Sequence, residues 1–544
     1  MARSLTTRTP AAWLLALALA SLAPGSPARA DTQARRTLVY CSEANPNQFQ
    51  GALAGDQTSL DAGSRQVFDR LLRLRERDGR QVLEPSLATS WTLSADAKVY
   101  TLQLRRGVRF QANYGFTPTR EFDAQDVVFS FRRMMDQDHP YHDVSGGVYP
   151  TFQSLGLPRI LRSVDPVGPY TVRFVLNTPN APFLADLAMD FASINSAEYA
   201  QWLSQRGRKV DLDRKPLGTG PFELVSYQSG STIRYRAFAR YWAGAPRIDR
   251  LVFAITPNPA VRWARLRAGE CQVMADPNPA DLDAMRADPN LRVLTAPGTD
   301  IAYLAFNLRR PPLDNVLVRR ALAMAVNRKA IVEHVYRGSA RLALSPLPPT
   351  LWSYDGALPD LPYDPAQARR LLARAGYAAG FETDIWAMSV SRPYLSDARR
   401  VAQMIQADWA AVGVRAQVHG FEWGEYVHGL QQHLQHTALL GWAGDNGDPD
   451  YFLGNLLSCD AASTVRNAAG FCDPRYQQLI EQARLQPGQE QRTLLYRKAQ
   501  RVFREQLPWI PLAYPDVVVP MSTRVHGYVM PPNGGHEFQG VWLQ

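Results

Sequence analysis

From about residue 298 onward, apolar β-rich runs alternate with helices that carry their own start signals. This alternation constrains the fold more than any other feature of the chain. "IAYLAFNL" (301–308) reads as a buried strand. "YDPAQARRLLARAGY" places Asp364 at the N-cap, Pro365 at the first helical position and Gly376 near the stop. "CDPRYQQLIEQARL" repeats the device with Asp473 and Pro474, and "NVLVRRALAMAVNRKAIVEHVY" spaces its apolar residues at three and four, as a helix does. Strands alternating with such helices predict an α/β lobe. Upstream, "TLVYC" (37–41), "YTLQLRRGVRF" (100–110) and "IDRLVFAI" (248–255) read as further strands. A chain of 544 residues is too long for one simple core, so two or more lobes are expected. Pro/Gly punctuation near 295–299 and 508–515 marks candidate crossings between them.

The first 30 residues read as a secretory signal. Arg3 and Arg8 open it, "AAWLLALALASLA" is apolar but too short to span a bilayer, and Ala28-Arg29-Ala30 is a small-x-small cleavage site. No cysteine stands at the cut to take a lipid, and no later run of 18 apolar residues follows, so the mature chain is expected to be soluble. The formal charge of +10 is carried by dispersed arginines, with no block of like charge. It reads as a solvated basic surface and not as a nucleic-acid patch. The four cysteines, Cys41, Cys271, Cys459 and Cys472, form no C-x-x-C pair. An even number in an exported chain suggests two disulfides, with three pairings open.

The stretch "GWAGDNGDPD" (441–450) follows the apolar "TALL" and carries three aspartates and an asparagine within six residues. Such charge after a buried strand can hold a metal, run acid/base chemistry, fill a polar turn or meet a ligand's positive charge. A calcium loop counted from Asp445 would put Asp450 where glycine is required and Leu456 where glutamate is required. Asp448 and Asp450 fit a polar turn around Pro449. Searches for G-x-S-x-G, H-E-x-x-H, S-x-x-K and a phosphate loop find none in a convincing context, which argues against a secreted peptide hydrolase.

Several stretches carry a family resemblance over 31–544. "LEPSLATSWTLSADAKVYTLQLRRGVRF", "EFDAQDVVFSF" (121–131) and "PLGTGPFEL" (216–224) resemble the extracytoplasmic solute-binding proteins (family 5) that feed peptide ABC transporters. "SEANP", "PYHDVSGGVYPTF" (140–152), "APFLADLAMDFASI" (181–194), "CQVMADPNPADL" (271–282), "IWAMSVSRPY" (385–394) and "GWAGDNGDPD" are similar to the dipeptide binders among them. The resemblance implies an α/β, two-lobed type II periplasmic-binding clamp with an extra subdomain in the first lobe. Lobe I would take 31–297, with the subdomain at about 66–215. Lobe II would take 298–514, and 515–544 would return to lobe I. It also implies the pairings Cys41–Cys271 and Cys459–Cys472.

By the same resemblance the chain is a non-catalytic periplasmic receptor that closes on a dipeptide and presents it to an inner-membrane permease with its ATPase subunits. Whether a chemoreceptor also docks is left open, and haem and glutathione are alternative ligands. A free dipeptide is a zwitterion, and burying it requires an opposite charge at each end. The family pattern places the amine on Asp445 and the carboxylate on Arg392, whose planar fork suits two parallel hydrogen bonds. Tyr394, Trp423 and Trp442 are candidate pocket walls. Thr58 and Ser59, with Asp61, lie in the expected ligand-side loop 49–63. After Tyr394 the run Leu395-Ser396-Asp397 replaces the usual Asn-Pro-Asn, so pocket selectivity is expected to have moved. "HGLQQHLQH" brings His428, His433 and His436 close in sequence. The last two would share a face if the segment were helical, an arrangement open to axial haem ligation, although a glutamine-rich surface is the simpler reading. No cofactor is called for.

Overall fold

The computed structural model describes residues 36–544 apart from 78, 79, 463, 465 and 532. The signal reading of 1–30 lies outside the described residues. Among the described residues one twelve-stranded sheet organises the molecule, ten strands in a single order and two more pairing off it. In one half Thr37–Ser42 pairs in parallel with Arg250–Ile255, and Thr232–Ala237 and Phe222–Gln228 continue antiparallel from there. In the other half Ile301–Phe306 pairs antiparallel with Thr437–Trp442, beyond which lie Glu382–Met388 and Arg415–Phe421. The 14-residue strand Trp509–Ser522 belongs to both. Its first part pairs with Ile301–Phe306 and Ala340–Leu342, and its second with Leu291–Pro297 and Val273–Met274.

All six residues of Ile301–Phe306 are buried, as expected of a central strand covered on both faces. Tyr303 stacks on Trp509 with ring centroids 3.8 Å apart. The start signals of the following helices act as read: the Asp364 carboxylate accepts from the Gln367 N–H at 2.8 Å, and that of Asp473 accepts from Arg475 N–H at 2.8 Å. The 315–336 segment does not stay one helix. It breaks after Ala325, restarts at Arg328 under an Asn327 cap, and ends in a widened turn at Tyr336. The buried Arg328 guanidinium, bonded to the carbonyls of Ala343 and Leu361, holds the restart in place.

A separate four-stranded antiparallel sheet, Ala88–Leu93, Val99–Leu104, Thr171–Leu176 and Leu161–Gly168, lies between the first strand and the 222–228 strand in sequence. Tyr100, Leu102 and Leu104 alternate inward as the sequence pattern predicts, but the strand stops at Leu104 and 105–110 is irregular. This part touches the opposite half directly. Asn446 Nδ2 donates to Asp186 Oδ1 at 2.9 Å, Ala181 N to Arg484 O at 2.9 Å, and Arg466 Nη1 to Ser154 O at 2.6 Å. Disulfides join Cys41 to Cys271, tying the first strand to a segment 230 residues on, and Cys459 to Cys472 across 13 residues. Among the described residues no helix is long and apolar enough to cross a membrane.

Candidate functional site

The acidic run begins where Thr437–Trp442 ends and leads into the helix Asp450–Leu457. Gly444 is held tightly: a Cβ there would lie 2.8 Å from the Thr299 Cβ, and Thr299 Oγ1 donates to Gly444 O at 2.9 Å. Beyond it the three aspartates have different fates. Asp448 is buried and ion-paired with Arg492 at 2.6 Å. Asp450 accepts both oxygens' worth of contact from Arg484 Nε, at 3.0 and 3.1 Å. The polar-turn expectation for these two is therefore corrected: each neutralises an arginine from the helices Pro474–Leu485 and Gln489–Gln506. Such pairing allows burial of charge that would otherwise be very costly.

Asp445 alone of the three has no ion pair among the described residues. The Tyr451 hydroxyl donates to its Oδ2 at 3.3 Å, and the residue is half-buried. Burial pushes its carboxyl up to about 6, against the pull of the Arg65 guanidinium and with a push from Asp190. Arg65 comes from the short helix Ser64–Val67 in the opposite half. It is already committed to Asp61 and to Asp190 at 2.9 Å, and those two anions hold it protonated despite burial. Asp445 thus faces a cation whose charge is largely spent.

Arg392 sits in the loop after Glu382–Met388, in a tight turn where it and Leu395 exchange backbone hydrogen bonds at 3.1 and 2.9 Å. Its guanidinium has no ion pair among the described residues and lies 4.1 Å above the Trp423 ring, with Nε buried and unpartnered. Trp423 opens the helix Trp423–Gln431 and stacks on Tyr426. Tyr394 packs its ring onto Gly441, and its carbonyl accepts from the Tyr336 hydroxyl at 2.8 Å. Burial raises the Tyr394 hydroxyl to about 12, with Arg392 lowering it and Asp300 raising it. Asp300 in turn is acted on by Asp445. Tyr394 thus responds to Arg392 on one side and to Asp300 on the other, and Asp300 responds to Asp445. Trp442 places its ring 5.4 Å from Tyr451, and its Nε1 is buried without a partner.

Thr58 and Ser59 are engaged within their own loop. Thr58 donates to Glu43, while Ser59 Oγ accepts from Asn47 N at 2.9 Å and donates to Asp56 at 2.8 Å. Asp61 is spent on Arg65 and on the His536 N–H at 2.7 Å. The condition for a shared histidine face is not met: the helix ends at Gln431, and His433 takes a left-handed φ of 52°. His428 is exposed and bonded to Gln432, and His436 pairs with Asp384 at 2.9 Å. Arg65, Asp190, Asp300 and Tyr451 were not singled out from sequence. Only the four-residue spacing of Asp61 and Arg65 could have hinted at one of them.

Residues 82–464 match the family described as bacterial extracellular solute-binding proteins, family 5 Middle. The chain belongs to that family. A dipeptide-binding protein of Escherichia coli K12 is 46% identical over 509 residues, covering 94% of this chain and 95% of the relative. Heme-binding protein A of Haemophilus influenzae is 44% identical, covering 94% of this chain and 93% of its own length. A solved dipeptide-binding protein from Pseudoalteromonas, in complex with Met-Leu, superposes with a TM-score of 0.83 at 37% identity, covering 93% of this chain and 100% of that one. Like these family 5 proteins, the molecule is an α/β clamp of two lobes.

Proposed function

We propose that the chain is a periplasmic receptor that closes on a dipeptide, or a similarly short peptide, and presents it to a membrane permease whose partner subunits hydrolyse ATP. The observation that carries this reading is the contrast within 445–450. Among the described residues Asp448 and Asp450 are ion-paired and Asp445 is not, while Arg392 is also without an ion pair and is linked toward Asp445 through Tyr394 and Asp300. Two unpaired opposite charges facing a shared cleft would suit a zwitterion, with Asp445 for the ammonium and Arg392 for the carboxylate. Two fixed charges also act as a ruler, because an extended chain spans about 3.3–3.6 Å per residue. Tyr394, Trp423 and Trp442 would wall the pocket. Thr58 and Ser59, in the 49–63 loop, would line its lobe I side. In this reading lobe I comprises 31–297, with its subdomain at about 66–215, lobe II comprises 298–514, and 515–544 returns to lobe I. The similarity to dipeptide binders supports the ligand class. A haem ligand has less support, because the histidines of 428–436 share no helix face.

The test is calorimetry with a dipeptide. Arg392→Ala and Asp445→Ala should each weaken binding by at least about 2 kcal/mol, since each leaves a ligand charge buried and unpaired. Unchanged affinity in both would remove the assignment. Mass spectrometry after incubation should return the dipeptide intact, and cleavage would point to an enzyme.

A further inference from the structure

Asp300 stands at the crossing between Leu291–Pro297 and Ile301–Phe306 and is 8% exposed. The chain around it is stitched to the segment that carries Asp445. Ile301 pairs with Trp442, and Thr299 Oγ1 donates to Gly444 O at 2.9 Å. Its Oδ1 is nevertheless buried with no hydrogen-bond partner. Buried acceptors in native proteins are rarely left empty, so an orphan beside a binding residue points to a donor that arrives with the ligand. The groups that act on Asp300 are Asp445 from the acidic turn, Asp276 from the opposite half and Tyr394 from the loop after Glu382–Met388.

We infer that Asp300 supplies a second oxygen for the ammonium of the ligand, beside Asp445. The inference rests on the peptide reading above. An ammonium carries three N–H donors spread tetrahedrally, and one carboxylate approaching from one side leaves a donor unsatisfied inside a closed, dry cleft. Asp300 approaches from the crossing between the lobes, and Asp445 from the turn. Burial, with Asp445 adding to it, pushes the Asp300 carboxyl far above the ordinary range, so it enters the complex as a neutral acid. A neutral acid still accepts through its carbonyl oxygen. The pair thus offers two acceptors but only one negative charge to a single positive one, and a free primary amine becomes a requirement on the ligand.

The experiment joins a crystal structure of the full mature chain with alanyl-alanine to calorimetry on Asp300→Asn and Asp300→Leu. We expect the ammonium nitrogen about 3 Å from an Asp300 oxygen. Asp300→Leu should bind at least about tenfold more weakly. Asp300→Asn, which keeps an oxygen acceptor, should stay within about threefold of the parent. If Asp300→Leu fails to fold by circular dichroism, Asp300→Ala takes its place. An ammonium held by Asp445 and water with Asp300 out of reach, or an apolar variant that binds as tightly as the parent, overturns the inference while leaving the peptide reading intact. A parent chain that binds no alanyl-alanine overturns both.

Discussion

Asp445 shares its turn with Asp448 and Asp450, and only its lack of an arginine sets it apart. That difference has a consequence for pH. An ammonium is attracted by the carboxylate form, and in the free protein Asp445 titrates at about 6. If Asp445 holds the ammonium as proposed, affinity is full above that value and is lost as pH falls through it. From about pH 7 to about pH 5 dipeptide affinity should drop roughly tenfold, and Asp445→Asn should flatten the profile. Calorimetry at several pH values checks this, and a flat profile in the parent would contradict it. The charge at 445 was visible in the sequence because three aspartates after an apolar run are conspicuous. Which of the three stays unpaired was not, since Arg484 and Arg492 lie in later helices and no local pattern announces their targets. Asp300 was hidden for the same reason, because its role depends on a turn that meets it only in the folded molecule.

Elements show where local signals suffice. The Asp-Pro starts at 364–365 and 473–474 cap their helices as read, because an N-cap carboxylate needs only the next few backbone N–H groups. The 315–336 and 428–436 segments depart from their periodicity, because buried Arg328 and the left-handed residue at 433 impose breaks that apolar spacing cannot register. The strand Thr437–Trp442 carries a testable detail. At Gly441 a Cβ would sit 2.1 Å from Tyr394 Cδ2 and 2.5 Å from the Ile301 carbonyl. Gly441→Ala should therefore cost about 1–3 kcal/mol of stability by denaturant unfolding. It should also weaken ligand binding, because the displaced ring is a pocket wall in the proposed site. Unaltered stability would show that the ring has room to move.

Across the molecule, the contact between Asn446 and Asp186 joins the acidic turn to the short helix Phe183–Asp186 at 2.9 Å. Burial raises the Asp186 carboxyl to about 8. Asp448 and Asp450 add to the rise, and the Asn446 hydrogen bond and Arg484 oppose it. A raised carboxylic acid favours this contact between the halves, the closed arrangement of the proposed receptor, while it is protonated. Closure should weaken as pH climbs from about 4, where a solvated aspartate ionises, through about 8, where the buried one does. Small-angle scattering without ligand should show the radius of gyration growing over that interval, and Asp186→Asn should hold it constant. A parent radius independent of pH would refute this. None of it could be foreseen from the chain, since the two partners lie 260 residues apart.

The strand Trp509–Ser522 keeps ladder partners in both halves of the molecule. Rocking the halves against each other then amounts to wringing one ribbon, and its rungs can survive a change of twist. Pro511, Pro515 and Pro520 donate no N–H, so fewer rungs resist the torsion. Capture and release would then run at the tempo of an elastic deformation, with no local unfolding to slow them.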